Sequence, residues 1–200
     1  MDFTNLKATL ESLGYQVSCF DTAAQAADYL DRQIDGKTVG IGGSVTLQQM
    51  EMYERLSAHN EVSWHWYPEG KAVDEVRLSA LTAEVYLSSV NALAETGEII
   101  NIDGACNRVA ATLYGHKKVY LVLGANKIAP DYDSALFRAR NVAAPLNAKR
   151  LSRKTPCAVR GDRCYDCKSP ERICRGLAVL WEAPIGCEYE VILINEPLGY

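Results

Sequence analysis

The chain has 200 residues, 48% of them apolar and 23% charged, and a formal net charge of −4. That is the length of one domain, with enough apolar content to bury a core unaided. No apolar run approaches the roughly eighteen residues of a membrane span, so neither a membrane anchor nor a membrane partner is expected.

The opening "MDFTNLKATLESLGYQVS" carries Asp2, Lys7 and Glu11 and has no apolar h-region, so it does not read as a secretory signal. The expected address is the cytoplasm, where disulfides seldom persist. Phe3, Leu6, Leu10 and Leu13 recur at helical spacing and Gly14 stops the run. "YQVSCF" alternates as a strand does, and "DTAAQAADYLDRQI" opens on the capping residues Asp21 and Thr22 and continues as an Ala-rich helix. "KTVGIGG" reads as a strand entering a glycine loop, "TLQQMEMYERLSA" as one helix, "EVSWHWY" as a strand and "AVDEVRLSAL" as a helix. "AEVYLSSVNAL" and "GEIINIDG" form a strand pair, "NRVAATLYG" a helix and "KKVYLVLG" a buried strand. "DYDSALFRARNVAAP" is a helix closed by Pro145, and "GLAVLWEA" and "YEVILINE" are the last strands. Such alternation predicts an α/β fold with a mostly parallel sheet and helices on both faces. The pair from Ala83 to Ile102 and the two C-terminal strands are candidates for antiparallel edges. Ligands of such sheets gather at the carboxyl ends of the strands.

The loop "TVGIGGSVT" places Gly40, Gly42, Gly43 and Ser44 between a strand and a helix. Unpaired amides at the helix start would suit a phosphate or carboxylate, with Ser44 and Thr46 as hydroxyl donors. The same residues also suit a tight turn with Ser44 as a simple cap. No Gly-Lys-Ser/Thr follows, so this is not a P-loop, and Val45 stands where a dinucleotide fingerprint needs its third glycine. In "SSVNALAETGEIINIDGACNRVAA", Asn91, Asn107 and Arg108 are candidate anion contacts, with Arg108 fit for a bidentate clamp, and Glu95 or Asp103 is a candidate base. Turn chemistry alone would also account for these residue types. Lys127, in "GANKIAP", follows a strand and is placed to meet the same anion. Arg138 and Arg140, two apart on a helix, must face different ways.

"PCAVRGDRCYDCKSPERIC" holds four of the chain's seven cysteines, Cys157, Cys164, Cys167 and Cys174, spaced C-x6-C-x2-C-x6-C. One C-x2-C pair with two flanking singles is not the two-pair pattern of a zinc ribbon. An iron–sulfur cube tolerates it better, although the usual C-x2-C-x2-C run is absent. Zinc, an iron–sulfur cluster and metal-free thiols all stay open on spacing. From Lys149 to Arg175 there are nine Lys or Arg against three acids, on an otherwise acidic chain. This basic segment, residues 153–176 in particular, could offset bound thiolates or dock an acidic partner. The lack of interleaved aromatics argues against nucleic acid.

"VGIGGSVT", "SSVNALAETGEIINIDGACNRVA", "VLGANKI", "NVAAPLNAKR", the cysteine segment and the ending "VILINEPLGY" together resemble the lactate-utilisation (LUD) domain family, from about Val39 to Tyr200. The resemblance implies a single LUD-type domain over 1–200. It also implies a fold similar to the ribose-5-phosphate isomerase and CoA-transferase superfamily (NagB/RpiA/CoA-transferase-like) with a C-terminal cysteine-rich insertion. In that superfamily the glycine loop holds a phosphate or another anion. It further implies a role in oxidation of lactate or another 2-hydroxy acid beside iron–sulfur or flavin subunits, and so favours a [4Fe–4S] cluster at the four cysteines, with zinc the alternative. The rival is a phosphate- or CoA-ester isomerase or transferase with a structural metal. Whether the chain is an enzyme on its own, or a homo-oligomer, is left open. The family commonly has glycine where this chain has Cys106, and proline where it has His116.

Overall fold

The computed structural model describes residues 1–200. In chain order its elements are α1 (Thr4–Ser12), β1 (Gln16–Phe20), α2 (Ala23–Gln33), β2 (Thr38–Ile41), α3 (Val45–Gln49), α4 (Met52–Ser57), β3 (Glu61–Trp64) and α5 (Val73–Leu81). There follow β4 (Val85–Ser88), β5 (Ala92–Ala94), β6 (Ile99–Asp103), α6 (Asn107–Leu113), β7 (Lys118–Gly124), β8 (Ile128–Ala129), α7 (Tyr132–Arg138), α8 (Ala144–Arg150), α9 (Pro156–Arg160), β9 (Gly176–Leu180) and β10 (Glu188–Ile194). A six-stranded sheet has the order β1-β10-β7-β4-β2-β3, and a four-stranded sheet the order β8-β5-β6-β9. Every pairing in the larger sheet is parallel.

The larger sheet is apolar on both faces because its central strands alternate between two cores. Val119, Leu121 and Leu123 of β7 join Val191 and Leu193 of β10 against α1, α6 and the smaller sheet. Tyr120 and Val122, with Ile192 and Ile194, face α2, α3 and α4. Such two-sided burial is what parallel strands with crossover helices require. A third, alanine-rich core joins β5 and β8 to α7. No helix is long and apolar enough to cross a membrane.

Several local expectations shift. β10 is no edge: it lies parallel between β1 and β7, as its nearly unbroken apolar run suits. β9 and β6 do pair antiparallel, in the smaller sheet. The single helix over "TLQQMEMYERLSA" is broken at Glu51, which takes a left-handed φ of 55° between α3 and α4. Pro145 closes nothing. A π-helical turn over Ala139–Ala143 joins α7 to α8, and Pro145 sits in the first turn of α8, where its missing N–H is tolerated. The Thr22 cap of α2 forms a full capping box with Gln25.

Candidate functional site

The parallel strands end their carboxyl sides on one crevice of about 560 Å³. The turn after β2 supplies Gly43 and Ser44, the end of β4 supplies Ser89 and Asn91, and the turn after β7 supplies Lys127. The β6–α6 junction adds Asp103, Asn107 and Arg108. The wall also carries Arg77, Arg150, Arg153, Arg172 and Arg175, so seven cationic side chains face two carboxylates, Asp103 and Glu171. On a chain of net charge −4 this is a concentrated positive field in a concave site, which attracts anions.

Lys127 is the least ordinary of these cations. It is 4% exposed, and its Nζ donates to Thr46 Oγ1 at 2.9 Å and Ser89 Oγ at 2.8 Å, with no carboxylate paired to it. Burial, reinforced by Arg138 and Arg108, brings it down to about 7. Ser44 is the N-cap of α3, accepting from Leu47 N at 3.2 Å. The amides of Gly43 and Ser44 donate to no group of the chain. Gly40 and Gly42 lie below the crevice rather than in it. A Cβ on Gly40 would stand 2.4 Å from the Ala80 carbonyl oxygen, and one on Gly42 would meet Tyr86 Oη at 2.8 Å and Arg108 Cγ at 2.9 Å. Thr46 is buried beneath Lys127 and helps hold it.

Arg108 is committed to the protein rather than free to clamp a ligand. Its guanidinium donates to Ser89 O at 3.1 Å, Asn101 Oδ1 at 2.5 Å, Ile102 O at 2.8 Å and Asn91 Oδ1 at 3.3 Å. Asp103 accepts from the backbone of Cys106 at 3.2 Å and Val109 at 3.3 Å, fixing the start of α6, and lies 3.7 Å from Arg108 Nε. Glu95 is not brought to the crevice at all. It sits exposed in the β5–β6 turn, four residues beyond Asn91, about 13 Å along an extended chain. Arg138 turns inward to the carbonyls of Asn91 and Asn126, while Arg140 faces Asp166 and Cys164.

The crevice also holds residues the sequence did not single out for it. His65 and Trp66 line it, with the Arg150 guanidinium 4.9 Å over the Trp66 ring. Burial pushes the His65 imidazole below its usual range. The signal for the arginines was the basic excess from Lys149 to Arg175, whose Arg150, Arg153, Arg172 and Arg175 converge here. Cys106 takes φ 60°, a conformation that favours glycine, its sulfur lies against Gly176, and it is not among the residues lining the crevice. His116 is a core residue, bonded to Ala83 O and stacked on Tyr86.

Cys157, Cys164, Cys167 and Cys174 all line a second cavity of about 300 Å³. They come from α9 and the irregular stretch leading to β9, closed over by Ala144, Pro145 and Ala148 of α8. All seven cysteines of the chain are free thiols. No three of the four draw close enough to hold a single metal ion. Polar groups already point at the sulfurs: Asp166 N to Cys164 Sγ at 3.3 Å, Arg172 Nη2 to Cys174 Sγ at 3.4 Å, and Thr155 Oγ1 beside Cys157 Sγ at 3.3 Å. The two cavities share a wall made of Ile102, Ala144, Arg172, Ile173 and Arg175.

A family model described as "LUD domain" matches residues 4–194. The chain belongs to the LUD domain family. This LUD domain is similar to a solved DUF162 family protein from Deinococcus radiodurans, at 13% identity and TM-score 0.54, over 96% of this chain and 95% of that one. That likeness is one of fold. It also overlaps eIF2B beta from Chaetomium thermophilum at 16% identity and TM-score 0.39, over 56% of this chain and 44% of that one. No curated protein matches the LUD domain described here.

Proposed function

We propose that this LUD domain is a redox subunit of lactate or other 2-hydroxy-acid utilisation, binding a small anionic substrate in the crevice and an iron–sulfur cluster at its four clustered cysteines. The observation that carries this reading is the shared wall between a cationic crevice and a four-thiol cavity. Membership of a family associated with lactate utilisation supports it.

The donor set suits a cluster better than a single ion. A tetrahedral zinc with Zn–S bonds of about 2.3 Å gathers its four sulfurs to within about 3.8 Å of one another. Here the four thiols line a cavity of about 300 Å³, and one C-x2-C pair with two flanking singles is not the two-pair pattern that zinc takes. N–H groups aimed at cysteine sulfurs are the contacts that stabilise cluster thiolates and tune their potential. When bound, a [4Fe–4S] group would supply one-electron transfer next to the substrate.

The chain's own residues divide the remaining work. Lys127 and the Gly43 and Ser44 amides form the floor on which a carboxylate or phosphate would rest, and Arg150, Arg153, Arg172 and Arg175 surround its open side. Arg108 and Asp103 act as positioning residues, since they hold Asn91, Asn101 and α6 in register. Oxidising a 2-hydroxy acid removes two electrons, so a partner with flavin or further clusters is required, and the cytoplasm is the fitting compartment. Anaerobically purified protein should contain iron and sulfide near stoichiometry and a broad visible absorption. It should show little turnover of L- or D-lactate with an artificial acceptor when no partner is present. Metal-free protein with four freely alkylated thiols sinks the cluster reading. Robust partner-free turnover sinks the division of labour.

One observation favours a second reading. A crevice of about 560 Å³ with seven cations and Trp66 at its side is roomy for a three-carbon acid. It would suit a phosphate or CoA ester, in a superfamily-like isomerase or transferase whose cysteine site is structural. Titration with L-lactate, inorganic phosphate and CoA separates the two, because only the second reading expects CoA to bind most tightly.

A further inference from the structure

Arg172 occupies an unusual place. It lines both cavities, and its guanidinium donates Nη2 to Cys174 Sγ at 3.4 Å and Nε to the Cys174 carbonyl at 3.1 Å. Its neighbour on the shared wall, Arg175, spends its donors on the carbonyls of Pro170 and Arg172 instead. Arg140, 4.0 Å from Cys164 Sγ, lines the thiol cavity but not the crevice. Arg172 and Arg175 both line the two cavities, and of the two it is Arg172 that hydrogen-bonds a clustered sulfur.

We infer that Arg172 couples anion binding in the crevice to the redox state of the four-cysteine site, so that an anion favours the oxidised form. The inference rests on the iron–sulfur reading above and adds regulation to that same site.

The sign follows from charge. Reduction by one electron, delivered from dithionite through mediators, adds one negative charge behind the shared wall. An anion in the crevice opposes that charge across a few side chains of low polarity, Ile102, Ala144 and Ile173 among them. The same anion competes for the Arg172 guanidinium and weakens its hydrogen bond to Cys174. A weakened N–H to sulfur contact disfavours the more negative, reduced state. Both effects lower the potential. By linkage, the anion must bind the oxidised protein more tightly, by the same factor.

The test is an optical redox titration of cluster-loaded protein at constant ionic strength, with and without saturating inorganic phosphate, and again with L-lactate. Tenfold tighter binding to the oxidised form lowers a one-electron midpoint by about 59 mV. That shift is expected in the wild type with at least one of the two anions. In Arg172→Gln the preference should drop to about twofold or less, a shift of about 18 mV by the same relation. Arg172→Lys, which keeps the charge but not the fork, should fall between. Iron and sulfide content and the visible spectrum are recorded first for every variant. Protein that takes up neither iron nor sulfide overturns the cluster reading and this inference with it. Cluster-loaded wild type whose midpoint ignores both anions overturns the inference alone, as does an undiminished shift in a loaded Arg172→Gln.

Discussion

At the scale of single residues, Lys127 carries the clearest consequence. A buried ammonium without a carboxylate partner is costly, and two hydroxyl acceptors soften that cost only in part. With its folded value lowered to about 7, the unfolded chain holds a proton there that the folded chain loses between about pH 7 and the ordinary lysine range. The cost to stability is thus full below about pH 7 and is relieved as pH rises. The proposed anion binding would run the opposite way, since it needs the charged amine. Phosphate affinity should fall by up to about tenfold for each pH unit above about 7, a slope that Lys127→Met abolishes along with most of the affinity, read by calorimetry across pH. Arg108 makes a contrasting residue. It is a knot of four hydrogen bonds, so Arg108→Ala should cost about 3 kcal/mol and lower Tm by about 6–12 °C, measured by thermal denaturation. A variant of unchanged Tm with lost anion binding would return Arg108 to the role of a direct clamp.

At the scale of elements, the turn after β2 divides its glycines between two jobs. Gly40 lets β2 approach α5, where an added methyl would press on the Ala80 carbonyl, an atom of the backbone that cannot swing aside. Gly40→Ala should therefore destabilise by about 2 kcal/mol, in the range of overpacked cores, with a fall in the denaturation midpoint. Gly43 has room, its nearest neighbours being His65 and Trp66 at 3.4 Å, and it lines the crevice. Gly43→Ala should leave the midpoint nearly unchanged and weaken phosphate binding. The α2 capping box supplies an internal scale for such measurements: Thr22→Ala should cost about 1 kcal/mol, or about 2–4 °C in Tm.

At the scale of the whole molecule, the basic excess of one segment and the acidity of the rest become one arrangement. Arginines near the cysteines line the inner wall of the crevice, while Arg163 and Lys168 stay exposed on the outside. Anion affinity should decline with added salt more steeply than for a site of one lysine, because several cations act together. Replacement of Cys164 by serine should abolish iron and sulfide uptake while far-UV circular dichroism survives, since the two main cores lie outside residues 153–176. Loss of the whole fold in that variant would mean that the segment is structural.

Much of this was legible along the chain, and the reason is local. Helix spacing in α1, the Thr22 cap, the glycine turn, the apolar runs of β7 and β10 and the cysteine pattern all depend on residues a few positions apart. The family resemblance, resting on several ordered motifs, was legible in the same way. Contacts between distant segments were not. Nothing near Lys127 in sequence says that Thr46 and Ser89 bury it, nothing near Asn91 says that Arg138 and Arg108 hold it, and the turn residues around Glu95 resemble those of a site while lying at the far end of a hairpin. Composition and periodicity by themselves determined an α/β chain with a parallel sheet, a candidate anion loop and a thiol cluster. Only the tertiary structure decided that β10 enters the middle of the sheet and that the arginines of the basic segment turn toward the glycine loop. It alone placed the thiols behind a wall shared with the crevice, because strand order and loop packing are set by burial summed over the whole molecule rather than by any short stretch.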